Sequence, residues 1–377
     1  MNRIALVACS LLSACCLYSA AQSPVGSVGR FNRIPDGYID FHRAAKIGAL
    51  SLPEAALFVG DPFCSEDGAT YLNVRVPPAY SDSTLLRIAD SGGVTSVQVT
   101  PVSGLDNIHI WNADADSSGV YVLVSAHPLD GLDASSEDAG RTAPDMNSSK
   151  YHNFVVYFRD GVSLPVITLL DLPFTVLRIA TLDRQTWLVL GMDTINQQPL
   201  VVTVNHAGNI VRYLNVEDVF PTDSEMLEEA PPDIQSSMAG LSDNARLDAI
   251  VSMTQFVHYK GALLMLFPSR RASLTVIQPS GFMTTTVLKL PVGMTAQSLI
   301  SSDNEWVIRA STASGRNVIA EIDPSTGQVD RVLGSAQLTP SDITCLRGGK
   351  YLGIHWGADK GQGAANVRPY LMVGQVP

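Results

Sequence analysis

Six side chains in this sequence combine groups that could bind a ligand. Arg75 and Arg309 carry guanidinium, His127, His152 and His355 carry imidazole, and Trp356 carries indole. Gathered at one mouth, such groups bind an anionic or aromatic ligand. Asp114-Ala115-Asp116-Ser117-Ser118-Gly119 opens like a calcium loop, but Ser125 stands where the bidentate Glu belongs, so it reads as an ordinary turn. Cys64 and Cys345 are the two thiols that remain after a leader is removed, and they either bridge or sit apart as buried thiols. The chain contains no Gly-x-Ser-x-Gly elbow, His-Glu-x-x-His pair, phosphate loop or haem-attachment motif.

The elements that must position these residues repeat along the chain. Tight turns holding Gly93, Gly161, Gly208, Gly281 and Gly327 each follow a β-rich run, and a glycine there supplies the positive φ of a hairpin. Their spacings of 68, 47, 73 and 46 residues describe a unit of about 46 interrupted twice, the period of a four-stranded propeller blade. A second series of turns precedes apolar runs that begin near Tyr71, Tyr121, Trp187, Leu263, Trp306 and Tyr351. Six such strands predict an all-β, six-bladed propeller, with seven blades as the alternative. Gly374 and Gly48 read as one turn split between the chain ends, so the N- and C-terminal strands should pair to close the ring. The third strand of that closing blade is expected at 368–373 and the fourth at 49–52.

Both interruptions fall in loops that belong on one face. One spans 127–153 and the other 215–250, and both are rich in Asp and Glu. Insertions confined to one face of a repeat protein often mark its binding face. The second is expected to hold a short helix capped by Asp233 or Ser242, with Leu247, Ile250 and Val251 facing inward, as a lid over the channel mouth.

The turn Ile322-Asp323-Pro324-Ser325-Thr326-Gly327 resembles the grammar of bacterial six-bladed propellers with NHL-like, YVTN-like or gluconolactonase-like repeats, over 48–377. That resemblance implies the fold. Gluconolactonase-like members hold a divalent cation in the axial channel with Glu, Asn and Asp near the starts of inner strands. The positions so implied here are Glu54, Asp106, Asn107, Asp248 and Asp342. Oxygen donors suit Ca²⁺, and a held cation could polarise an ester or lactone carbonyl.

Arg3, the apolar run to Leu17 and the small residues Ser19-Ala20-Ala21 read as a signal peptide over 1–21. A lipobox-like Leu12-Ser13-Ala14-Cys15 offers a second reading, lipidation at Cys15 and a membrane tether. The segment 22–47 reads as an extension before the propeller. No apolar run is long enough for a transmembrane helix in the mature chain. A net charge of −11 argues against nucleic acid or an anionic membrane as partner. These features lead to an extracytoplasmic, monomeric, non-catalytic propeller that contacts a protein or small extracellular ligand through its inserted face. The alternative is a Ca²⁺-dependent lactonase or esterase.

Overall fold

The computed structural model describes residues 35–46, 57–58, 63–65, 69–75, 83–89, 93–116, 118–129, 152–159, 164–193, 195–196, 198–216, 219–220, 222, 225–226, 240, 242–268, 272–335, 338, 342–358 and 367–376. The segment 1–21 read as a signal peptide, which holds Cys15, lies outside these residues, as do Glu54 and the segment 49–52.

The fold is all-β. Strand β1 is Gly37–Lys46. A first sheet follows from β2 (Leu57–Phe58), β3 (Phe63–Cys64), β4 (Thr70–Arg75), β5 (Ser83–Ile88) and β6 (Val94–Gln98), in the order β2-β4-β5-β6 with β3 also on β4. The second sheet is a meander of β7 (Leu105–Asp116), β8 (Gly119–Pro128), β9 (His152–Arg159) and β10 (Val166–Leu170). The third is β11 (Thr175–Thr181), β12 (Thr186–Met192), β13 (Pro199–Asn205) and β14 (Ile210–Leu214). Helix α1 (Asp243–Ser252) leads into the fourth, β15 (Gln255–Tyr259), β16 (Ala262–Phe267), β17 (Ser273–Ile277) and β18 (Met283–Val287). The chain finishes with β19 (Thr295–Ser302), β20 (Trp306–Ser311), β21 (Asn317–Ile322), β22 (Val329–Ser335), β23 (Ile343–Arg347), β24 (Lys350–Ala358) and β25 (Val367–Gln375).

These last seven strands and β1 form one closed path of eight. The arrangement is propeller-like, a ring of four small sheets and one closed unit, and it departs from the expected six or seven separate blades. The cause is hydrogen bonding between two antiparallel runs. Strand β1 pairs antiparallel with β25 and parallel with β22, while β19 and β23 pair through Ser301 and Cys345. Terminal strands do close the ring, and β25 holds the expected third place beside β24. Gly37–Lys46 takes the fourth place, inside the segment read as an extension.

Second strands are buried on both faces because sheets stack around the ring, so β12 and β16 read as continuous apolar runs. Fourth strands lie outermost and are largely exposed: in β14, Val211, Arg212 and Tyr213 are exposed in succession and Leu214 is buried. The repeated turn glycines have two reasons to be glycine. Gly208, Gly281 and Gly327 have φ of 83°, 80° and 69°, where a Cβ is disfavoured. A Cβ on Gly208 or Gly327 would also come within 3 Å of the backbone of the preceding sheet's outer strand, at the Leu169 and Val287 carbonyls, whereas on Gly281 it would meet the movable tip of Arg212. The repeat read in the sequence is therefore a contact between sheets as well as a turn.

Helix α1 forms with Ser242 as N-cap, its side chain accepting from the Ala245 N–H. Leu247, Ile250 and Val251 are 3%, 1% and 0% exposed and join one core with Leu177, Leu263 and Phe267. The helix is thus a wedge between the third and fourth sheets, where a lid over the channel was expected. Three apolar residues at helical spacing are drawn into the nearest apolar groove.

Candidate functional site

First strands begin, and second strands finish, at the same end of the ring. That end also roots both insertions, one between β8 and β9 and the other between β14 and β15. One corner of that end brings members of the two candidate sets together. Asp106 pairs with His127 across β7 and β8, and Asn107 Nδ2 lies 3.4 Å from His127 Nδ1. Asp106 Oδ1 accepts the Asn107 N–H at 2.8 Å. Asn107 takes φ of 50°, the left-handed region that Asn tolerates better than most residues. A bulged register between Asp106 and His109 accompanies it.

Below this corner the wall continues on the same strands. Trp111 Nε1 donates to Ser125 Oγ at 2.6 Å, and Ser125 Oγ donates to Asn153 Oδ1 at 2.7 Å. His109 meets the Trp111 ring edge-on at 4.9 Å. His152 is exposed at the root of β9, opposite Ala126. The result is a polar and aromatic wall, held by three strands, at the base of the first insertion.

The remaining candidates lie elsewhere. Arg309 is 6% exposed and ties three strands together: Nη1 donates to Ser298 Oγ at 3.2 Å, and Nη2 to the Ile343 carbonyl at 2.7 Å. Arg75 ends β4 opposite Leu57 and Ser83. His355 and Trp356 face Tyr370 and Pro369 in β24 and β25. Asp342 immediately precedes β23, but Asp248 lies within α1, where burial pushes its carboxyl above the ordinary value. Among the described residues no three His, Cys, Asp or Glu gather to hold a metal. Of the donors expected around the axis, Asp106 and Asn107 are neighbours, Asp248 and Asp342 lie on other elements, and Glu54 lies outside the described residues.

A polar cluster that sequence reasoning missed joins three successive inner strands near the opposite end. Asp114 on β7 accepts the Thr181 N–H and Thr181 hydroxyl of β11, both at 2.6 Å. His258 Nε2 on β15 lies 3.1 Å from both Asp114 Oδ2 and Thr181 Oγ1. Burial alone would raise the Asp114 carboxyl, but the His258 charge and the Thr181 hydrogen bonds together hold it below its usual value. This is not a nucleophile–base–acid relay. In such a relay the carboxylate holds one imidazole nitrogen and the hydroxyl approaches the other, whereas here both meet Nε2.

Asn112 extends the same clasp by donating to the Ile179 carbonyl at 2.7 Å and accepting its N–H at 3.0 Å. Further round, Gln255 Oε1 accepts the Leu299 N–H at 2.8 Å. The Cys64–Cys345 disulfide then joins β3 to β23. The signal for Asp114 lay inside the calcium-like hexapeptide, whose Asp116 simply caps the turn by accepting the N–H groups of Ser118 and Gly119. Nothing local marks His258, which is 144 residues away.

No family model matches the chain, and no curated protein matches it. Among solved structures, two mutants of the Synechocystis apocarotenoid oxygenase resemble it at TM-scores of 0.38 and 0.37, with 12% and 13% identity. They align over 80% and 75% of this chain and 66% and 62% of theirs. Trypanosoma rangeli sialidase, in complex with 2,3-difluorosialic acid, resembles it at 0.37 with 10% identity, over 86% of this chain and 59% of that one. The chain thus spans less than two thirds of the length of these proteins. None of the three is of the NHL, YVTN or gluconolactonase kind.

Proposed function

We propose that this chain is an exported, non-catalytic binding scaffold whose partner docks at the end of the ring that roots the two insertions. One observation carries the reading. Residues 127–153 and 215–250 contain fourteen Asp and Glu against three Lys and Arg, a net of −11 that equals the charge of the whole chain. The remaining 22 acidic and 22 basic residues balance. A field of one sign anchored at one end of a neutral ring selects and steers a cationic partner. The Asp106, Asn107 and His127 corner supplies fixed polar contacts at the base of that field.

The buried polar groups support a scaffold. Asp114, His258, Asn112, Gln255 and Arg309 hydrogen-bond between strands, so the sheets are tied to one another beneath the face that roots the insertions. The disulfide supports export, since such bonds persist in oxidising compartments. Titration with a lysine-rich peptide at rising salt tests the reading. Affinity should fall steeply between about 50 and 200 mM salt, and a salt-independent affinity would contradict it. Melting in EDTA and then Ca²⁺ tests the hydrolase alternative, for which a large, Ca²⁺-specific rise would be required.

A further inference from the structure

Three junctions on the outer rim are built alike, and one difference between them points to a ligand. Turn glycines Gly208, Gly281 and Gly327 rest on β10, on β14 and at the end of β18. Buried Leu170, Leu214 and Leu288 fix the register of these outer segments, so Thr168, Arg212 and Thr286 hold equivalent places two residues earlier. At the middle junction the Arg212 guanidinium crosses over and donates to the Ser280 carbonyl. At the third, the backbone closes the gap, with the Lys289 N–H donating to the Gly327 carbonyl at 2.8 Å.

At the first junction Thr168 takes the place of Arg212. Its short side chain reaches only the His206 carbonyl, at 3.1 Å. An open surface cleft of about 450 Å³ lies there, lined by Ile167, Leu169, Asp171, His206 and Asn209 among others. The residue after the buried leucine is acidic only at this junction: Asp171, against Asn215 and Lys289 at the others.

We infer that this rim cleft is a guanidinium site, taking an arginine side chain from a partner peptide where the neighbouring junction uses its own Arg212. A guanidinium offers five donors in a planar fork, and the Asp171 carboxylate and the turn carbonyls are the matching acceptors. Ile167 and Leu169 are 36% and 45% exposed and give the aliphatic stem an apolar wall. Burial holds the His206 imidazole below its ordinary value, against the opposing pull of Asp116 and Asp183. Its ring stacks on Trp187 at 4.6 Å, and burial disfavours its charged form, so it does not set a second cation against the guanidinium. An ammonium fits less well, because it cannot bridge carboxylate and carbonyls in one plane.

Calorimetric titration of the full chain with tri-arginine and tri-lysine tests the site. Tri-arginine should bind about tenfold more tightly than tri-lysine. Asp171→Asn should weaken it about tenfold, and Thr168→Arg, which places a guanidinium in the cleft from within, should abolish it. Both variants should melt within about 2 °C of the parent. Should either variant fail to fold, amide shifts of His206 and Asn209 on adding L-arginine to the unaltered protein decide the matter. Absence of binding, equal affinity for the two peptides, or unchanged affinity in both variants overturns the proposal. A variant with the Asp and Glu of 130–145 and 217–233, Glu225 excepted, changed to Asn and Gln should still bind tri-arginine at the rim, so failure of this site and failure of the insertion-bearing face are separable.

Discussion

Asp114 keeps its charge in a buried place because the His258 charge and two donors from Thr181 face it. Removing one partner of such a set leaves an uncompensated buried group, so Asp114→Asn should destabilise the fold by about 3 kcal/mol in denaturant melts. The pH dependence has a definite sign. The folded carboxyl titrates below its unfolded value of 3.8, so its contribution is present above that pH and is lost as pH falls through the folded pKa. The Asn variant should therefore lose less stability than the parent between pH 4 and pH 2, as read from acid-unfolding curves. Parallel acid limbs would show that the carboxylate is not a clasp. This residue was illegible in the sequence because its meaning depends on a histidine from another sheet.

At the scale of elements, the turn glycines were legible and their second reason was not. Positive φ leaves a mark in one chain segment, whereas the approach of Gly208 to Leu169 depends on how two sheets are set side by side. Two substitutions separate the effects. Gly261 has φ of 71° with open space around its would-be Cβ, while Gly208 has φ of 83° and a collision. Gly261→Ala should cost about 1 kcal/mol from φ alone, and Gly208→Ala should cost more, by a further 1–2 kcal/mol. Equal losses in thermal melts would remove the inter-sheet role. Helix α1 was readable from its cap and from the spacing of Leu247, Ile250 and Val251. Its destination was not, because the apolar groove that receives it is assembled from two sheets. Ile250→Ala should cost about 2–4 kcal/mol as a core truncation, whereas a peripheral lid would lose far less.

Across the whole molecule, the period of about 46 residues gave the strand order within most sheets but not how the last strands fuse. Parallel pairing of β1 with β22, and of β19 with β23, uses backbone groups alone and leaves no residue pattern. The thiols were visible as a pair, and the fold puts them on the inner strands of the first and last sheets. Cys64→Ser with Cys345→Ser opens a loop of 281 residues and should cost about 2–5 kcal/mol, seen as a lower melting temperature than that of the oxidised parent. The candidate corner at Asp106, Asn107 and His127 was also partly legible, since strand starts and strand ends are adjacent in any antiparallel pair. The charge asymmetry is the feature that turns this geometry into a binding account. Val219, Phe220 and Met226 of the second insertion belong to the core, so the most direct test keeps the chain intact: the affinity of a lysine-rich peptide, at low salt, for the parent and for a variant with the Asp and Glu of 130–145 and 217–233, Glu225 excepted, changed to Asn and Gln. The account predicts that the variant folds and binds at least about tenfold more weakly; equal affinity in the two proteins would contradict it.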